Sequence, residues 1–167
     1  HLKIDRPYDS WDIVALFNWG DEKANVEAEL GRFGYEATEP VLVHELWSGE
    51  RMIATGSVRL EGVAPHSVKL LAIRRLPGTP WIAGTTMHFT QGAAEFANIA
   101  WTGNRLELTF DSNYKGVRGG IAVYVPEAYR GMEIRCCLPV AIGADHRVEL
   151  SDIPAGTDRV VIAFGEE

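Results

Sequence analysis

Five carboxylates stand in apolar, strand-like surroundings: Asp12, Glu45, Glu61, Glu95 and Glu107. A glycosidase needs two such groups, about 5 Å or about 6.5–9.5 Å apart, one as acid and the other as nucleophile or base. Nothing in the spacing of these five brings two of them together. A carboxylate that alternates with apolar neighbours is expected on the solvated face of a half-buried strand. The histidines His1, His44, His66, His88 and His146 are scattered, and none lies three or four residues from another His or Cys. Metal-ligand spacing is therefore missing, and no metal or other cofactor is expected. No phosphate-binding Gly-x-x-x-x-Gly-Lys loop, His-Glu-x-x-His pair or Gly-x-Ser-x-Gly elbow occurs, so no catalytic residue is designated. The aromatics offer more. Trp19, Trp81, Trp101 and Tyr114 lie near turns or strand ends, where an exposed ring can stack on the apolar face of a sugar. These four are the candidate carbohydrate-binding residues, set against the alternative that such rings fill the core. Trp47 also lies near a turn, and the loop Asn113 to Gly120 is a polar, aromatic contact surface or an ordinary hairpin loop.

The elements that position these residues read as short strands between turn signals. Trp11–Phe17, Val41–Trp47, Ser57–Val63, Ser67–Ile73, Glu95–Trp101, Arg105–Phe110, Val117–Val125, Met132–Leu138, Arg147–Leu150 and Arg159–Phe164 are apolar or alternate with period two. Thr102-Gly103-Asn104 has the chemistry of a tight hairpin turn. Glu22–Leu30 and Ala93–Ala100 fit helical spacing as well as alternation, and strand is preferred because a sheet needs the partners. The fold class expected is all-β, an antiparallel two-layer β-sandwich with a second small β-sheet subdomain as an option after the proline-rich break at Pro77 to Pro80. The domains so divided are 1–76 and 80–167.

Bulk properties narrow the function class. The chain has 167 residues, 46% hydrophobic and 23% charged, with a net charge of −7. That is a globular composition, and the acidic balance argues against nucleic-acid binding. The longest apolar runs, such as Ile121 to Pro126, fall far short of the roughly 20 residues of a membrane-spanning helix, so no membrane partner is expected. The first residue is His1 and no signal peptide is visible, as for a mature product or an excised piece. Cys136 and Cys137 are adjacent, and a vicinal disulfide is strained, so both read as structural thiols.

A family resemblance adds to these patterns. The order Ile13-Val14-Ala15-Leu16-Phe17-Asn18-Trp19, Leu30-Gly31, His44-Glu45-Leu46-Trp47-Ser48-Gly49 and Val63-Ala64-Pro65-His66-Ser67-Val68-Lys69-Leu70-Leu71 is similar to the C-terminal β-domain of α-galactosidase-type glycoside hydrolases (families 27 and 36, the melibiases). That domain has a strand ending in a Phe-Asn turn, an Asp-Leu-Trp-x-Gly hairpin and a Pro-His-Gly/Ser turn. Here Glu45 stands where the family usually has Asp, and Ser67 where it often has Gly. The resemblance covers roughly residues 11–75. Residues 80–165 read like a β-extension of larger members.

The resemblance implies a non-catalytic accessory domain that packs on a catalytic barrel upstream in the same polypeptide. The aspartates of the chemistry belong to that barrel and have no counterpart here. It further implies that His66 ties its turn to a neighbouring carbonyl or hydroxyl, and that Trp47 anchors its hairpin in the core. The alternative is an independent carbohydrate-binding module or lectin-like domain with a saccharide as partner. An immunoglobulin-type interaction sandwich comes third, since the Cys…Trp…Cys arrangement is missing.

Overall fold

Alternating β-branched and aromatic residues leave one face of each segment apolar, and in the computed structural model nearly every such segment is a strand. The structure describes residues 1–114, 118–143, 147–154 and 156–165. Its strands are β1 (Leu2–Arg6), β2 (Asp9–Asn18), β3 (Ala24–Glu29), β4 (Val41–Glu45), β5 (Arg51–Ala54), β6 (Ser57–Val63), β7 (Ser67–Arg75), β8 (Trp81–Thr85), β9 (Phe96–Thr102), β10 (Arg105–Phe110), β11 (Ile121–Tyr124), β12 (Ile134–Cys136), β13 (Val140–Ile142), β14 (Val148–Leu150) and β15 (Arg159–Phe164). Two short 3-10 segments, Leu30–Phe33 and Glu127–Tyr129, are the only helical pieces among the described residues. The molecule is all-β and its strands pair antiparallel, as the sequence led one to expect.

The chain forms two compact units, His1–Ile4 with Ser10–Leu76, and Asp5–Asp9 with Pro77–Glu167. In the first, a five-stranded sheet of order β1-β2-β7-β4-β5 is joined by the two-stranded sheet β3-β6. Val14, Val43, Leu71 and Ile73 from the larger sheet meet Ala28, Val58, Leu60 and Val63 from the smaller, with Leu30 and Tyr35 between them. Each Val, Leu or Ile side chain so enclosed contributes about 1.5–3 kcal/mol relative to exposure. In the second unit two four-stranded sheets, β12-β15-β10-β9 and β13-β14-β11-β8, face each other. Leu106, Leu108, Ile162 and Phe164 on one side and Ile82, Ile121, Val123 and Val148 on the other fill that core. Both units are therefore two-layer sandwiches.

Several boundaries differ from the sequence reading. Glu22–Leu30 is a strand over Ala24–Glu29 and then turns into the 3-10 segment at Leu30. Ala93 to Glu95 belong to a turn, and β9 starts at Phe96. The strand expected over Val117–Val125 runs from Ile121 to Tyr124; its Val117 end lies outside the described residues, as do His146 and the Lys115–Val117 part of the 113–120 loop. Four strands had no sequence signal strong enough to propose them: β1, β5, β8 and β13. No helix of the described residues is long and apolar enough to cross a membrane.

Candidate functional site

Three turns of the first unit are each held by one polar side chain. At the end of β2, Asn18 is buried. Its Nδ2 donates to the carbonyls of Glu22 (2.8 Å), Val63 (2.9 Å) and Ala64 (3.0 Å), and its Oδ1 accepts from Gly20 N at 3.0 Å. One amide therefore ties the turn after β2 to the turn after β6. At the β4–β5 hairpin, Glu45 accepts from Ser48 N at 2.7 Å and from Leu70 N at 3.4 Å, and its Oε2 is 3.6 Å from Lys69 Nζ. Burial alone pushes the Glu45 carboxyl upward, but the hydrogen bonds from Ser48 and the Lys69 ammonium hold it below its ordinary value. At the β6–β7 turn, His66 takes a left-handed backbone (φ 49°). Its Nε2 lies 2.9 Å from Asp21 Oδ1, so its partner is a carboxylate rather than the carbonyl or hydroxyl that the resemblance implied.

The carboxylates correct the sequence reading in three cases. Asp12, Glu45 and Glu95 are buried rather than on a solvated face. Asp12 shares the inward parity of Val14 on β2, and the Tyr35 hydroxyl lies 2.8 Å from both its Oδ2 and the Ile73 carbonyl. Burial and the adjacent Asp12 together push the Tyr35 phenol far upward, so it stays a donor at any ordinary pH. Glu95 accepts from Gly92 N (3.0 Å), Ala94 N (3.1 Å) and the Thr85 hydroxyl. These three carboxylates hold backbone and hydroxyl groups in place, which is a structural task. Glu61 is exposed and Glu107, 2.6 Å from Arg159, is half-buried.

The aromatic candidates separate by exposure. Trp19 is 76% exposed and Trp47 60% exposed. Trp47 is thus not the core anchor expected of it; the hairpin is held by Glu45 beneath, while the indole projects from the turn. Trp81, Trp101 and Tyr114 are half-buried and lie against the second core. Trp81 Nε1 donates to Asp9 Oδ2 at 3.0 Å, and the Tyr114 hydroxyl donates to Met87 O at 2.6 Å. Trp101 sits edge-on to Tyr129 with centroids 5.3 Å apart. Trp19 alone of the four stands free of the core, and it stacks on Phe17 with centroids 4.8 Å apart and planes within 5°. Phe17, which sequence reasoning did not single out as a site residue, is 47% exposed; its position two residues before Trp19, on the same side of the strand, was the available signal.

Cavities open in both units among the described residues. One of about 350 Å³ opens in the first unit among Glu45, Glu50, Met52, Arg59, Glu61 and Lys69, with mixed charge. One of about 100 Å³ lies in the second unit between Tyr129, Met132 and Ile142. Among the described residues no group of three or more His, Cys, Asp or Glu side chains is placed to hold a metal ion. Cys136 and Cys137 are free thiols; burial raises the half-buried Cys136, and Cys137 is exposed.

Comparison with known proteins bears on the first unit. Residues 9–73 match the family model described as the alpha galactosidase C-terminal beta sandwich domain, from the start of β2 to just short of the end of β7. The three polar clamps at Asn18, Glu45 and His66 all fall inside the matched stretch. No curated protein matches the chain.

Proposed function

We propose that this chain serves as a non-catalytic accessory β-domain of an α-galactosidase-type glycoside hydrolase, joined in the same polypeptide to a catalytic barrel on which it packs. The observation that carries this reading is the match of residues 9–73 to the C-terminal sandwich domain of such enzymes. The matched stretch supplies β2–β7 of the first unit and nearly all of its enclosed core. The chemistry of the buried carboxylates supports the same reading. A glycosidase acid or nucleophile must reach the glycosidic oxygen or the anomeric carbon. Asp12, Glu45 and Glu95 are instead occupied by a phenol, by backbone amides and by a hydroxyl of the fold itself. The domain's task on this reading is to cover apolar surface of the barrel and stabilise it.

The chain on its own is expected to leave aryl α-galactosides unhydrolysed, as followed by release of the phenol. Turnover that survives purification and disappears in Asp12→Asn, Glu45→Gln or Glu95→Gln, with folding retained by circular dichroism, would contradict the proposal.

A further inference from the structure

We propose that the loop end of the first unit around Trp19 is a binding platform for the face of a neutral hexopyranose. The inference goes beyond the accessory role and does not depend on it. Phe17 stacks on one face of the Trp19 indole at 4.8 Å and 5°, and the 76% exposure of Trp19 leaves the other face open to solvent. The frame beneath is fixed: Asn18, between the two rings in sequence, is buried and bonded to three carbonyls and one amide of the surrounding turns. A ring fixed before binding loses little side-chain freedom when a ligand lands on it. Two residues further on, Asp21 meets His66 from the facing turn at 2.9 Å, with side chains 93% and 64% exposed. This polar pair, of which Asp21 lies on the same turn as Trp19 in sequence, can donate to and accept from the hydroxyl groups of a bound sugar.

The arrangement fits a sugar better than a protein. Two aromatic side chains offer roughly 150–250 Å² each, well under the ~800 Å² per partner of a stable protein interface. Asp21, Glu22 and Lys23 follow after Gly20, so the apolar facet gives way to charge. A pyranose presents one small apolar C–H face rimmed with hydroxyls, which suits an exposed ring followed two residues on by a carboxylate that is paired with an imidazole. The two neighbouring carboxylates disfavour an anionic sugar, hence a neutral one. The other tryptophans lack this combination. Trp81 and Trp101 lie against the core, and the carboxylate near Trp47 in sequence, Glu45, is buried, whereas Asp21 and His66 are exposed.

The full chain titrated with raffinose, mannotetraose and cellotetraose, with a polygalacturonate oligomer as charged control, tests this by NMR of the indole N–H signals. A saturable shift of the Trp19 signal is expected with at least one neutral sugar. Affinity is expected to fall about tenfold or more in Trp19→Ala and to weaken in His66→Ala and Asp21→Ala, while Trp47→Ala leaves it unchanged. Trp19 is exposed, so Trp19→Ala is expected to fold, as thermal melting checks. The proposal is overturned if no neutral sugar moves the Trp19 signal, if binding survives Trp19→Ala, if Trp47→Ala abolishes it, or if only the polyuronate binds.

Discussion

Asn18, Glu45 and Tyr35 show how much of this fold rests on single buried polar side chains. Asn18→Ala leaves the carbonyls of Val63 and Ala64 without their donor, and Glu22 with them. A cost of about 1–3 kcal/mol is expected in urea unfolding, since buried groups lose their partner and gain nothing. Tyr35→Phe deprives buried Asp12 of its phenol and is expected to cost a similar amount, about 1–3 kcal/mol. Glu45 adds a pH dependence. Its folded-state value is depressed below the ordinary 4.5, so its contribution is present in full above that value and is lost as pH falls through the folded value. The stability gap between the native chain and Glu45→Gln is therefore expected to be widest near neutral pH and to shrink in acid. A gap that is constant from pH 7 to pH 3 would contradict this account of the hairpin. Asn18, Glu45 and His66 give the resemblance motifs a structural role in this chain: an amide joins two turns, a carboxylate caps a hairpin, and a left-handed His closes the last.

At the scale of elements, alternation and turn chemistry were legible wherever they were local. Gly103 (φ 55°) and Asn104 (φ 58°) both take the left-handed backbone, and Thr102 pairs with Arg105 across them. That is the two-residue hairpin turn that Gly and Asn favour. Gly103→Ala is expected to destabilise by about 1 kcal/mol, because only glycine reaches that backbone without cost; thermal melting measures it. The strands the sequence hid depend on partners. β5 has four residues and is placed by β4, which it pairs at Val41↔Ala54 to His44↔Arg51. β8 contains Gly84 and meets β11 with a register shift, so its pattern is broken where it pairs. The site was half legible for a related reason. Local sequence identified turn-proximal aromatics, but whether an indole ends in water or against a core is decided by residues far along the chain. Trp101 meets Phe164, whereas Trp19 stacks on its sequence neighbour Phe17. Likewise the parity of Asp12 and Glu45 already matched that of Val14 and Val43, but the partners that make a buried carboxylate tolerable come from Tyr35 and from the hairpin tip.

At the scale of the whole molecule, each sandwich has its own apolar core, and the family match falls in one of them. In the second, Leu106 is fully buried between the two four-stranded sheets. Leu106→Ala is expected to cost about 2–5 kcal/mol by transfer loss and cavity formation, read from the calorimetric transition of the chain. The central claim is that these residues work as part of a larger glycoside hydrolase. The most direct test is the size of the native protein in its source, by immunoblot with an antibody raised to the 18.4 kDa chain, alongside aryl α-galactosidase activity across the same fractions. The account predicts a band several times larger that co-fractionates with the activity. A band near 18.4 kDa, separate from any such activity, would contradict it.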